Sequence, residues 1–142
     1  MSGMEIVNDL FSLLNTEPIP KQLELTILPL QDDKTSFLKE DIYLGIHFPC
    51  LPQLSRDFRS LYKRLKDDNV DMEQTHFRNQ MMKVLTCLLL VCPDHVTAWS
   101  DRRRFILRTF NQANHKDDEK KIKILEEEME YLDLLFTQHS KA

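Results

Sequence analysis

The sequence is short of glycine, of long apolar runs and of paired cysteines, and each shortage removes a class of function. Only two glycines occur, Gly3 and Gly45. Phosphate-cradling loops, dinucleotide-binding turns and type I′ hairpins depend on glycine's access to positive φ, so all three lose their support. The most apolar segment, Val84 to Cys92, is about half as long as a membrane-spanning helix, so no membrane span is expected. No basic stretch followed by an apolar core opens the chain, which argues against a secretory signal. Cys50, Cys87 and Cys92 are an odd set without CxxC spacing, as expected of free thiols in a reducing, cytoplasmic compartment. A formal net charge of -4 lacks the basic footprint of a general nucleic-acid binder, and no nucleic-acid partner is expected.

What is present is enough for one folded domain: 142 residues, 42% hydrophobic and 30% charged. Ile6, Val7, Leu10, Phe11 and Leu14 have a helical period that ends before Pro18. Glu17 to Pro52 holds every proline except Pro93 and is the least regular part. Within it Leu23, Leu25 and Ile27 alternate with polar neighbours, and so do Ile42, Leu44, Ile46 and Phe48. Such alternation predicts short strands or an extended arm. A two-stranded ribbon alone is marginal in water, so the favoured reading is an extended segment lying on helices.

Ser55 is placed to cap a helix carrying Phe58, Leu61, Tyr62 and Leu65 on one side. Its cations Arg56, Arg59, Lys63, Arg64 and Lys66 read as a solvated outer face rather than an anion dock. Asp71 and Gln74 resemble a capping box for the next helix, whose apolar face is Phe77, Met81, Val84, Leu85, Leu88 and Leu89. That helix is apolar nearly all round beyond Val84, which predicts cover on several sides. Pro93 ends it, and Asp94 is the expected cap of a further helix with Val96, Trp99, Ile106 and Phe110 on one side. After the polar stretch Asn111 to Lys116, the acids Asp117, Asp118 and Glu119 suit the start of a last helix. Its stripe of Ile122, Leu125, Met129, Leu132 and Phe136 is expected in the core.

Sliding the chain so that Pro93 falls on Ser140 exposes an internal echo. Val84 then matches Tyr131, Leu85 matches Leu132, Leu88 matches Leu135, Leu89 matches Phe136, and the polar Thr86 meets Asp133. Spacings of roughly 20 to 50 residues are typical of stacked helical hairpins. The fold expected is mostly α: antiparallel helical hairpins of an α-α superhelix, with an irregular N-terminal region. Residues 1–70 would form an N-terminal helix, an arm and a basic helix, and residues 71–142 one full hairpin plus the first helix of the next. A second tryptophan-bearing helix would follow Ala142, so the chain is expected to be a fragment or short form.

Pro93, Ala98, Trp99, Arg102 and Arg103, followed by Phe105-Ile106-Leu107, resemble the repeat of protein prenyltransferase alpha subunits. In that family the second helix of each hairpin begins with a Pro/Asn-x-x-x-x-Ala/Val-Trp-x-x-Arg-Arg type signature. The resemblance covers about residues 81–141. It implies that Trp99 fills the gap between paired helices and that Arg102 meets carbonyl or carboxylate groups of the neighbouring hairpin as a fork. It also implies a crescent-shaped subunit wrapped around a prenyltransferase beta subunit. That partner would hold the zinc and the isoprenoid diphosphate, with small GTPases or related cysteine-bearing proteins as substrates. Lys141 matches a family lysine that contacts the diphosphate, where an ammonium would stabilise the leaving charge. Pro93, Trp99, Arg102 and Arg103 would then be repeat and interface residues, and this chain would bind no cofactor itself.

Other chemistry has little behind it. His47, His76, His95, His115 and His139 are scattered. Cys92 and His95 flank Pro93 at a helix junction without a second pair to complete a tetrahedral metal site. The rival to a prenyltransferase subunit is a non-enzymatic helical-repeat adaptor that binds partner proteins.

Overall fold

The computed structural model describes residues 3–26, 37–67, 75–112 and 118–139. The fold is mostly helical. Helix α1 (Gly3–Leu14) is followed by strands β1 (Gln22–Thr26), β2 (Phe37–Glu40) and β3 (Tyr43–His47). A 3-10 turn (Phe48–Cys50) leads into α2 (Leu51–Asp67), and α3 (Thr75–Val91), α4 (Val96–Gln112) and α5 (Asp118–His139) complete the described elements.

The proline-rich region is more regular than the extended arm expected of it. Its strands form one sheet in the order β1-β3-β2, with β1 parallel and β2 antiparallel to β3. Leu23, Leu44 and Ile46 are buried in the common core, which supplies the support a lone ribbon lacks. The tight β2–β3 connection forms without glycine: Asp41 takes it at φ 54°, a conformation that aspartate tolerates better than most side chains. Ile27 lies outside the described residues.

Helix α2 starts earlier than Ser55, at Leu51, with Pro52 in the first turn where its missing N–H leaves no bond unmade. Leu54, Phe58 and Tyr62 form its buried side. Helix α1 packs close above it, since a Cβ on Gly3 would lie 3.0 Å from Leu61 Cδ1. The expected capping box of Asp71 and Gln74 lies outside the described residues. Helix α3 is the axis of the molecule: every residue from Val84 to Leu90 is buried. Val7 and Leu10 of α1, Phe58 of α2, Phe105 of α4 and Leu135 of α5 join it in one cluster. Residues from 1–70 and from 71–142 therefore share a single core.

The turn between α3 and α4 is closed by a histidine. The His95 carbonyl accepts from the Trp99 N–H at 3.2 Å, and its ring Nδ1 accepts from the Ala98 N–H at 3.2 Å. His95 thus takes the capping role expected of Asp94, which is exposed.

Helices α4 and α5 each turn a different face inward from the one their hydrophobicity predicts. The buried residues of α4 are Ala98, Asp101, Arg102 and Phe105, whereas Val96 is 76% exposed. In α5, Leu134 and Leu135 are buried, while Ile122, Leu125, Met129 and Phe136 are 50 to 65% exposed. On α4, Asp101 and Arg102 can face inward because Tyr62, Lys66, Glu128 and Thr86 on neighbouring helices compensate their charges, whereas on α5 no described residue covers the apolar stripe.

Candidate functional site

Three helices meet at one polar node built on the α4 motif. Arg102, 5% exposed, directs Nε to Glu128 Oε1 at 3.1 Å and Nη2 to Glu128 Oε2 at 2.7 Å. Its Nη1 donates to Thr86 Oγ1 at 2.7 Å, and the guanidinium carbon lies 4.0 Å from the centroid of the Tyr131 ring. Thr86 Oγ1 donates in turn to the Met82 carbonyl, and the Thr86 carbonyl accepts from the Tyr131 hydroxyl, each at 2.7 Å. A planar fork, a carboxylate and an aromatic face together satisfy a cation that would otherwise be costly to bury. Burial raises the pKa of the Tyr131 hydroxyl, with the Arg102 charge opposing it.

A second node lies one residue back on the same helix. Asp101, also buried, accepts a hydrogen bond from the Tyr62 hydroxyl of α2 and an ion pair from Lys66 Nζ at 3.1 Å. Desolvation raises the Tyr62 pKa, and the adjacent Asp101 carboxylate adds to the effect. The His95 ring stands edge-on to Tyr62 at 5.6 Å between centroids. Nearby, Ser55 Oγ lies 2.9 Å from Cys92 Sγ, and Arg59 Nη2 lies 3.6 Å from the same sulfur. The basic side of α2 is thus partly spent on holding α3 and α4, with Lys63 and Arg64 left exposed.

The remaining motif positions fall around these nodes. Trp99 is half-buried, and its indole Nε1 donates to the Pro93 carbonyl at 2.7 Å, pinning the start of α4 to the turn before it. Ala98 is fully buried. Arg103, expected as a repeat and interface residue beside Arg102, is exposed, as is Arg104. Lys141 lies outside the described residues. Sequence reasoning missed Asp101, Glu128, Tyr131 and Tyr62. The available signal was the spacing of Ala98, Asp101, Arg102 and Phe105, which puts two opposite charges on one helical face with two apolar residues.

Between α3, α4 and α5 lies an open cavity of about 360 Å³, bordered by Arg78, Asn79, Met82, Phe105, Thr109, Gln112 and Lys120. Arg78 Nη1 donates to Gln112 Oε1 at 2.7 Å across it. Among the described residues no three His, Cys, Asp or Glu side chains converge as metal ligands. No described helix is long and apolar enough to cross a membrane. No family model, curated protein or solved structure matches the chain.

Proposed function

We propose that this chain is an alpha-type helical-repeat unit of a protein prenyltransferase, a scaffold for a separate catalytic beta subunit rather than a catalyst by itself. The carrying observation is the motif that runs from Pro93 to Leu107, taken with what its two distinctive side chains do. Trp99 locks the hairpin turn through Pro93, and Arg102 reaches forward as a fork to the next helix. These are the roles that a repeat signature must perform if each hairpin is to hold its neighbour at a fixed angle. In this reading zinc and the isoprenoid diphosphate belong to the beta subunit, which transfers the isoprenoid to a cysteine of a small GTPase or related protein. Arg102 and Trp99 fix the surface that the beta subunit meets, and Lys141 is the one residue of this chain given a contact with the diphosphate.

Co-expression of the chain with a prenyltransferase beta subunit tests the proposal. Stable co-purification, with isoprenoid transfer that weakens on Lys141→Ala, is the expected result. Absence of any complex removes the enzyme reading.

The second reading is a non-enzymatic adaptor, favoured by one observation: the apolar stripe of α5 lies open. A complex that transfers isoprenoid equally well with Lys141→Ala would leave scaffolding as this chain's contribution.

A further inference from the structure

Ile122, Leu125, Met129, Leu132 and Phe136 succeed one another at steps of three and four residues along one side of α5. Four of the five are at least half exposed, and Leu132 is partly buried. The internal echo shows how unusual this is. Leu85 and Leu89, which match Leu132 and Phe136, are fully buried in α3. The matched pairs differ in cover, since Leu132 is only partly buried and Phe136 is 63% exposed. A stripe at alternating steps of three and four is the seam into which another helix fits at a small crossing angle.

The charges beside the stripe select among possible occupants. From Ile124 to Gln138 the helix carries Glu126, Glu127, Glu128, Glu130 and Asp133 and no lysine or arginine. Glu128 is committed to Arg102, whereas Glu126, Glu130 and Asp133 are exposed. A second copy of this chain fits the apolar positions but matches the charges less well. Antiparallel pairing brings Glu126 near the partner's Asp133, and parallel pairing is mixed, with Lys121 opposite the partner's Glu126 but Glu128 opposite the partner's Asp133. A helix bordered by lysine or arginine complements the exposed acids Glu126, Glu130 and Asp133 more fully than a second copy does.

We propose that the open face of α5 docks a helix from a separate protein, amphipathic, with lysine or arginine bordering its apolar stripe. This rests on the surface of α5 alone and is independent of the prenyltransferase reading.

Fluorescence anisotropy on the full chain tests it with two synthetic helices. Both carry leucine at heptad positions a and d; one has lysine at e and g, the other glutamate. The lysine helix is expected to bind about tenfold or more tightly than the glutamate helix. That preference should shrink as salt is raised. Glu126→Lys with Asp133→Lys changes only exposed side chains, so circular dichroism should be unchanged while the preference reverses toward the glutamate helix. Met129→Glu with Phe136→Glu should abolish binding of both. Equal affinity for the two helices, no binding of the lysine helix, or a preference that survives the charge reversal would overturn the proposal. So would a concentration-dependent dimer in sedimentation, which would make a second copy the occupant.

Discussion

Arg102 and Glu128 face each other as a two-point fork, at 3.1 and 2.7 Å, with Thr86 filling the third side of the guanidinium. The pair joins α4 to α5 through an arginine that is almost wholly out of water. Removing one partner of such a pair leaves the other charge without compensation. Arg102→Ala is expected to destabilise the fold by about 3–5 kcal/mol. Arg102→Lys keeps the charge but cannot span both Glu128 oxygens and Thr86, and should cost about 1–3 kcal/mol. Urea denaturation followed by circular dichroism measures both, and a cycle with Glu128→Gln isolates the coupling between the two side chains.

Trp99→Phe removes one hydrogen bond, to the Pro93 carbonyl, while keeping an aromatic ring in the half-buried gap. A loss of about 1 kcal/mol is expected for the bond, with some further loss from the smaller ring. Thermal melts of the two proteins test this, and an unchanged midpoint would show that the turn holds without the indole.

Asp41 sits at positive φ between β2 and β3. Asp41→Gly is expected to be neutral or slightly stabilising, because glycine adopts this conformation freely. Asp41→Val should destabilise by about 1–2 kcal/mol, since a β-branched side chain fits the left-handed region poorly. The contrast between the two variants in one denaturation series is the diagnostic.

Tyr62 and Tyr131 both have pKa values raised by burial. A group whose folded pKa lies above its unfolded value stabilises the fold fully below the unfolded pKa, about 10 for tyrosine. That contribution fades as pH rises further, because the unfolded chain then releases its protons first. Stability should therefore fall steeply above about pH 10, with the phenolate absorbance of Tyr62 and Tyr131 appearing together with unfolding. Tyr131→Phe should make the fall shallower, and a titration in which both tyrosines ionise while the circular dichroism signal persists would contradict the assignment.

The sequence made α3 plain because beyond Val84 it is apolar nearly all round, and no arrangement of neighbours could leave such a segment exposed. It also made the helical character of α4 and α5 plain, through Pro93 at one boundary and the acidic start at the other. The inward faces of these two helices were not legible. Hydrophobic periodicity weighs Asp101 and Arg102 as outward residues, and only a three-dimensional partner set of Tyr62, Lys66, Glu128 and Thr86 reverses that sign. The α5 stripe failed for the complementary reason, since nothing described covers it. In the N-terminal region, alternation located parts of β1 and β3, but β2 became visible only through its pairing with β3. Of the motif, the resemblance anticipated the fork at Arg102 without naming Glu128 as its partner. It made Arg103 a repeat and interface residue, and Arg103 stands exposed on α4.

One bond spans nearly the whole described chain. The Leu23 N–H of β1 donates to Thr137 Oγ1 near the end of α5, at 3.1 Å. During synthesis β1 leaves the ribosome 114 residues ahead of this partner. Until the partner emerges, that amide has only solvent, or a neighbouring polypeptide, to bond with. The outer edge of β1 is finished by α5, so a truncation within α5 would be felt at β1 rather than only where the cut was made.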